Sequence, residues 1–280
     1  MESDLKGQTI VVTGASGGIG SRTAEELANE GAQLVLHYHR GAARAERLAE
    51  RLRFDFGVEA LPVAADLRDE GAVERMFRLA LEQFERLDGL VANAAIWPPD
   101  GLPLAQMSLE QWRETVDTNL TGTFLSCRSF LRHLEDQRRA HAAIVLIGST
   151  AGIFGEPGHA DYAATKAGLV GLCLTLKTEI VRTTPRGRVN LIEPGWTLTE
   201  MTRQSVREPG LVEGVVRTMP VRQIARAADI ARAAVMLASP AASRHVSGQA
   251  LTVAGGMEGR VLWDADEIDG AAVLERLKDD

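Results

Sequence analysis

Residues 8–20 have the sequence QTIVVTGASGGIG, in which a short β-branched run leads directly into a loop rich in glycine. The run indicates a buried strand, and the helical pattern that follows places Ala24, Leu27 and Ala28 on one face. Small residues let the backbone approach a pyrophosphate, and a helix N-terminus favours negative charge. The stretch therefore predicts a strand, a phosphate-binding loop and a helix. The alternative is a tight turn between strand and helix with no ligand.

The rest of the chain repeats this alternation of short apolar strands and helices. Such alternation implies an α/β fold, a parallel sheet with helices on both faces, whose ligands bind at the carboxyl ends of the strands. A long helix is predicted from about Ser108 to His133, and another over Ala227–Ala238. The further predicted strands are Gln33–His37, Val58–Ala64, Leu90–Val91, Ala143–Gly148, Arg188–Glu193 and Gln249–Val253.

A second informative stretch, residues 149–166, is STAGIFGEPGHADYAATK. Tyr162 and Lys166 are four residues apart in a helical run, which places them on the same helix face. A cation close to a phenol lowers the phenol's pKa, so such a tyrosine can exchange a proton with an alcohol or carbonyl oxygen. Ser149, at the predicted end of a strand, offers a hydroxyl to the same oxygen. The alternative is an exposed Tyr–Lys pair on a helix surface.

The end of the second strand lacks the carboxylate that commonly holds ribose hydroxyls in dinucleotide-binding folds. No Asp or Glu occurs from Gly31 through Arg44. His39 and Arg40 instead stand where they would meet a phosphate, and Arg40 offers a planar set of donors suited to it. The alternative is a solvated strand end.

Composition excludes several classes of protein. The chain has 280 residues, 45% of them hydrophobic, and a net charge of −7, which argues against nucleic acid as a main partner. Cys127 and Cys173 lie in apolar helical contexts, so we expect reduced thiols in a cytoplasmic protein, with neither a disulfide nor a metal site. We find no signal-peptide pattern, and no apolar run approaches the ~18–20 residues that span a membrane.

The combination of these motifs resembles the short-chain dehydrogenase/reductase family over about residues 5–256. The resemblance implies a single Rossmann-type doubly wound domain that binds a nicotinamide dinucleotide. It also implies catalysis by Asn119, Ser149, Tyr162 and Lys166, with Asn119 holding a water that links Lys166 to solvent. The motifs that carry it are the glycine loop at 13–20, Asp66, Asn93-Ala94, Asn119, Ser149, Tyr162 with Lys166, and Pro194-Gly195.

The same resemblance implies a set of cofactor-binding residues. Asp66 is expected near the adenine, and the turn after Pro194 near the nicotinamide amide. Residues 36–43, LHYHRGAA, are similar to pteridine reductases, which use NADPH, whereas Gly17 stands where many NADP-dependent members carry a basic residue. We expect NADP(H), with NAD(H) as the alternative. The full set is Gly14, Ser16, Gly18, Ile19, Gly20, His39, Arg40, Asp66, Leu67, Asn93, Tyr162, Lys166, Pro194, Gly195, Thr197 and Thr199.

The resemblance implies an oxidoreductase that interconverts a ketone and a secondary alcohol, 3-oxoacyl-thioester reduction being the commonest such bacterial activity. Pteridine reductases tend to carry an aspartate where Ser149 stands, so pteridine chemistry is not assigned. A pteridine- or sugar-directed reductase and a dinucleotide sensor without turnover stay open as alternatives. Trp97 offers a flat surface for a ring-shaped substrate, or packs a loop. The expected substrate pocket is Trp97, Phe154, His159, Trp196 and Met201.

We divide the chain into a catalytic domain, residues 1–256, and a C-terminal extension, residues 257–280. Ile268, Leu274 and Leu277 give the extension the pattern of a short amphipathic helix. It is expected to pack on a neighbouring subunit or to form a loosely ordered tail. The resemblance also implies a homotetramer, in which the helices of Asn119 and Tyr162 pack between subunits.

Overall fold

A computed structural model describes residues 3–98, 101–137, 139–200, 202–203 and 205–277 of the chain. Its centre is a seven-stranded parallel sheet in the order β3-β2-β1-β4-β5-β6-β9. The predicted doubly wound sheet is confirmed. The strands are β1 (Thr9–Val12), β2 (Gln33–Tyr38), β3 (Ala60–Ala64), β4 (Gly89–Ala92), β5 (His141–Ile147), β6 (Arg186–Pro194) and β9 (Ala250–Val253), while β7 (Thr197–Leu198) pairs with β8 (Ala225–Arg226) outside the sheet.

Helices cover both faces of the sheet. Within the described residues, none of them has the length and apolar character needed to traverse a bilayer. They are α1 (Gly18–Asn29), α2 (Ala42–Phe56), α3 (Glu70–Phe84), α4 (Leu109–Val116), α5 (Gly122–Gln137), α6 (Ala151–Phe154), α7 (Ala160–Glu179), α8 (Leu211–Val216), α9 (Ala227–Ala238) and α10 (Gly270–Arg276).

Side chains that alternate along the strands pack into two separate apolar layers, one on each face of the sheet. On one face, Val11 and Ile144 pack with residues of α3, α5 and α7. On the other face, Ile10 and Val145 pack with residues of α1, α2 and α9. Because both faces are covered, the central strands β1, β2, β4 and β5 are mainly apolar. β6 also carries buried polar side chains in its interior. The candidate site lies at the carboxyl ends of these strands.

The helix predicted from Ser108 to His133 is interrupted in its middle by a π-helical turn, Asp117–Thr121. Asn119 occupies this turn and is buried. Its side chain accepts a hydrogen bond from the amide of Ile96 at 2.8 Å and donates one to the carbonyl of Ile96 at 3.0 Å. These two bonds tie the π-helical turn to the loop after β4. Single π turns of this kind are common at functional sites.

The C-terminal extension contains a 3₁₀ turn, Ala265–Glu267, followed by α10. Ile268 and Val273 are buried in a third apolar cluster together with residues of α8. The helix expected from the pattern of Ile268, Leu274 and Leu277 therefore packs against its own chain. Within the described residues, this third cluster is separate from the two apolar layers of the sheet.

Candidate active site

A cavity of about 820 Å³ opens at the carboxyl ends of β1, β2, β4, β5 and β6. Every residue of the predicted cofactor set lines it, as do Ser149, Trp97, His159 and Trp196. Asn119 is buried behind its wall, and Phe154 lies on the surface outside it. Met201 lies outside the described residues.

The glycine loop is packed too closely for larger residues. A Cβ atom on Gly14 would lie 2.9 Å from the Cα of Ala94, and one on Gly18 would lie 2.8 Å from the Cβ of Thr199. Gly14 also has φ of +67°, a left-handed conformation that favours glycine. No side chain caps the N-terminus of α1, and its first turn has no acidic residue. The amides of that turn are available to an anion, so the loop fits a pyrophosphate.

His37 fixes the start of this loop, and the sequence interpretation missed it. Its Nδ1 accepts a hydrogen bond from the amide of Gly14 at 3.0 Å, and its Nε2 lies 3.1 Å from the carbonyl oxygen of Ala65. Burial lowers the pKa of His37 to about 4, so the ring is neutral at neutral pH. A histidine inside the apolar run of β2 was the only signal available in the sequence.

The cavity end beyond β2 carries several charged groups. Asp66 forms an ion pair with Arg68 at 2.7 Å, and this hydrogen bond lowers the pKa of Asp66 to about 2. His39 Nε2 lies 3.7 Å from the same carboxylate. Arg40 is exposed at the cavity edge. Arg44, which the sequence interpretation did not include, lines the cavity and lies 3.3 Å from Glu200.

Tyr162 and Lys166 share one face of α7, as predicted, and Ser149 lies just beyond β5. The Nζ of Lys166 is 5.4 Å from the centre of the Tyr162 ring and donates a hydrogen bond to the carbonyl of Ile147 at 2.8 Å. Lys166 is buried, and burial lowers its pKa to about 8. The ammonium group is therefore held at the end of β5 by a main-chain acceptor.

The pKa of Tyr162 moves opposite to the sequence-based expectation. Burial raises it to about 12, although the hydrogen bond with Ser149 acts to lower it. The nearby carboxyl of Glu156 raises it further. The expected lowering by Lys166 does not prevail, because desolvation of the phenolate is the largest effect here. The phenol is consequently protonated at neutral pH.

Asp161, the neighbour of Tyr162, is a fully buried carboxyl that the sequence interpretation also missed. Its Oδ2 accepts hydrogen bonds from the Thr115 hydroxyl at 2.8 Å and from the Gln111 amide at 3.2 Å. Its Oδ1 accepts from the backbone amide of Tyr162 at 2.8 Å. These bonds tie α4 to the first turn of α7 and thereby fix the direction from which Tyr162 enters the cavity.

Aromatic rings form the wall beside Tyr162. Trp97 stacks on His159 with ring centres 3.8 Å apart, and it meets the Tyr162 ring edge-on at 4.7 Å. His159 is buried, and its Nδ1 has no hydrogen-bond partner within the described part of the chain. Glu156 also lines this part of the cavity, and burial raises its pKa. The wall is thus flat and largely apolar, with two polar groups.

The family model described as enoyl-(acyl carrier protein) reductase matches residues 14–258, most of the chain. The chain belongs to the short-chain dehydrogenase/reductase family. Membership accounts for the glycine loop and for the position of Ser149, Tyr162 and Lys166 at the end of β5. The family resemblance inferred from the sequence motifs is confirmed.

Curated relatives and a solved structure agree with this membership. A 3-oxoacyl-[acyl-carrier-protein] reductase of Synechocystis sp. is 34% identical over 90% of this chain and 98% of its own. 3β-Hydroxysteroid dehydrogenase 1 of Eggerthella lenta is 36% identical over 92% of this chain and 96% of its own. A 7α-hydroxysteroid dehydrogenase, solved with NADH and 7-oxo glycochenodeoxycholic acid, superposes with a TM-score of 0.84 at 28% identity, covering 93% of this chain and 98% of that one.

Together, family and relatives make this short-chain dehydrogenase/reductase an NAD(P)-dependent oxidoreductase that acts on a ketone or a secondary alcohol. The predicted class of reaction is confirmed. Its partner in the reaction is a small-molecule substrate.

Proposed function

We propose that this enzyme uses NADP(H) to reduce a ketone to a secondary alcohol. One observation carries the proposal: Ser149, Tyr162 and Lys166 line the same cavity as the glycine loop. A binding protein without turnover would need no serine, tyrosine and lysine at this point. A dinucleotide sensor is therefore the weaker hypothesis.

A nicotinamide dinucleotide held in this cavity would provide hydride chemistry for the carbonyl carbon. Gly14, Gly18 and the first turn of α1 would hold its pyrophosphate. Ser149 donates a hydrogen bond to the carbonyl oxygen, and Tyr162 transfers its phenolic proton to that oxygen as the alcohol forms. A phenol that is protonated at neutral pH suits the direction of reduction.

Lys166 and Asn119 support this proton transfer. The Lys166 ammonium would hold a ribose hydroxyl of the dinucleotide and would stabilise the phenolate that remains after the proton has left. Asn119 donates to the Thr165 hydroxyl at 3.4 Å, directly before Lys166 in the chain. Its two bonds to Ile96 hold the neighbouring loop, so we assign Asn119 to keeping the route of proton supply open.

The choice of NADP(H) depends on Arg40. Its guanidinium is exposed at the cavity edge, and β2 ends without a carboxylate that would repel a 2′-phosphate. A charge-assisted hydrogen bond contributes about 1.5–3 kcal/mol, or roughly 10- to 150-fold in affinity. Calorimetry should show NADPH binding at least about tenfold more tightly than NADH. Arg40→Ala should weaken NADPH by that factor and leave NADH nearly unchanged, and a wild-type preference for NADH would overturn the assignment.

Two classes of compound are candidates for the substrate. One is a 3-oxoacyl thioester, the class on which the Synechocystis relative acts by its name. The second is a fused-ring ketone, favoured by the flat wall of Trp97 and His159 and by two hydroxysteroid dehydrogenases among the similar proteins. Oxidation of NADPH should be followed over an acetoacetyl thioester, 3-oxo and 7-oxo steroids, a pteridine and a keto sugar. The Tyr162→Phe enzyme serves as the blank.

We also propose that the enzyme is a cytoplasmic homotetramer, as is typical of the family. Phe124 on α5 and Leu174 on α7 are exposed large apolar residues on the two helices expected at the interface. Light scattering that shows a stable monomer would contradict the tetramer.

A further inference from the structure

The C-terminal extension runs past the end of the family match at residue 258 and lies against the substrate side of the molecule. Its first part passes Phe154, since a Cβ atom on Gly259 would lie 2.9 Å from the ring of Phe154. The extension then reaches residues 206–219, which we name the covering segment. This segment includes α8 and supplies Leu211 and Glu208 to the cavity wall.

Trp263 joins the extension to the end of the covering segment. Its indole N–H donates a hydrogen bond to the carbonyl of Met219 at 2.8 Å. Arg217 donates from Nε to the carbonyl of Trp263 at 2.8 Å, and the carbonyl of Arg217 accepts from the amide of Leu262 at 2.7 Å. The guanidinium of Arg222 lies 3.6 Å from the centre of the indole ring. Trp263 therefore has polar contacts on its edge and a cation on its face.

Apolar contacts between the extension and α8 extend from Trp263 toward the cavity. Val212 and Val216 of α8 are buried in one cluster with Ile268 and Val273 of the extension. Trp196 packs against the same cluster and also lines the cavity. A helix of six residues is too short to be stable alone, so α8 depends on what packs against it. One face of the covering segment meets the cavity, and the extension supports the other.

We propose that the C-terminal extension is a structural part of the substrate site, in which Trp263 positions the covering segment and thereby determines how tightly substrate binds. Trp263 does not line the cavity and acts through Met219, Arg217 and α8. Within the described residues, Trp263 makes no hydrogen bond or ring contact with a residue at the cofactor end of the cavity. The part of the inference that concerns substrate rests on the proposed ketone reductase activity.

The test compares Trp263→Ala with Val261→Ala, a control in the same extension whose side chain is 61% exposed. In Trp263→Ala, KM for a reduced ketone should rise at least about fivefold while kcat changes less than about twofold, because binding common to ground and transition states is lost. The Kd of NADPH should stay within about twofold, as expected for a distant site. Val261→Ala should match the wild type in all three quantities.

Hydrogen exchange provides a readout that needs no substrate. Backbone amides of residues 206–219 should exchange at least about tenfold faster in Trp263→Ala, while those of α7 keep their wild-type rates. If no ketone is turned over, the proposed function fails, but the exchange result still decides the contact. Unchanged exchange in the covering segment overturns the inference.

A conservative variant guards against misfolding of Trp263→Ala. Trp263→Phe retains an aromatic ring and loses only the donor to Met219. It should show a smaller rise in KM than Trp263→Ala, with the same order in the exchange rates. Equal effects on KM and on the Kd of NADPH in both variants would show a general loss of structure and would contradict a role confined to the substrate end.

Discussion

The two ends of the cavity are held by different kinds of contact. At the cofactor end, Asn93 donates from its side chain to the carbonyl of Thr13 at 2.9 Å, and His37 accepts from the amide of Gly14. These bonds join the ends of neighbouring parallel strands. At the substrate end, Trp196 and α8 pack on apolar residues of the C-terminal extension. Strand ends therefore fix one half of the site, whereas the other half depends on packing between late segments of the chain.

Tyr162 lies between the cofactor end and the substrate end of the cavity, and replacing it should have the largest effect on turnover. Tyr162→Phe removes the proton donor and retains the ring that touches Trp97, so folding should survive. Turnover should fall by about 10²–10⁴-fold, the usual contribution of general acid–base catalysis, with little change in the Kd of NADPH. Tyr38→Phe, at the chain's other tyrosine, should behave like the wild type. Retention of more than about a tenth of wild-type turnover would refute the assigned role.

Sequence patterns predicted the cofactor end well because short loops at the ends of parallel strands must meet at one edge of the sheet. The residues of the predicted cofactor set, from Gly14 to Thr199, line one cavity. His37 was missed because its role depends on the register between β1 and β2, and Asp161 because its partners lie on another helix. The support of α8 by Ile268 and Val273 has no motif at all. It arises from tertiary packing, which a sequence pattern alone does not specify.

Acidification should lower the free energy of unfolding through His37, which holds the glycine loop at the cofactor end. Its pKa is about 4 in the folded protein, against 6.5 for an ordinary histidine in an unfolded chain. Between these values the unfolded state binds the additional proton, so folding is favoured at higher pH. The contribution is fully present above pH 6.5 and is lost progressively as pH falls toward 4, by about 3 kcal/mol in total.

Urea unfolding at a series of pH values tests this contribution. His37→Gln should remove that part of the pH dependence, because the glutamine does not titrate. A wild-type slope in His37→Gln would show that other groups account for the acid sensitivity.

Two glycines distinguish close packing at the cofactor end from open space elsewhere. A Cβ atom on Gly20 would collide with the carbonyl oxygen of Gly14, whereas nothing lies within 4 Å of one on Gly171 in α7. Gly20→Ala should cost about 1–3 kcal/mol of overpacking and weaken NADPH by a factor of about 10 to 100. Gly171→Ala should stabilise the fold by about 0.5–1 kcal/mol with an unchanged Kd. Equal affinities in the two variants would contradict the close-packed loop.

The smallest expected effect concerns an exposed ion pair at the edge of the cofactor end. Arg44 at the start of α2 lies 3.3 Å from Glu200, which follows β7. Both side chains are more than half exposed, and exposed ion pairs contribute only about 0.2–1 kcal/mol. If the 2′-phosphate of the proposed NADP(H) binds beside Arg44, the carboxylate of Glu200 would oppose it in two ways: it would neutralise Arg44 and repel the phosphate charge.

Glu200→Gln should therefore tighten NADPH by up to about fivefold, the affinity equivalent of about 1 kcal/mol. NADH lacks the 2′-phosphate, so its Kd should stay constant and serves as the internal control. The gain should shrink as salt is raised, because screening weakens interactions between exposed charges. Arg44→Gln should weaken NADPH by a similar factor. In that background Glu200→Gln should tighten NADPH less than it does in the wild type, because only the direct repulsion is left to remove. Tighter binding of both cofactors would mean that Glu200 restricts entry to the cavity and does not act through its charge on the 2′-phosphate.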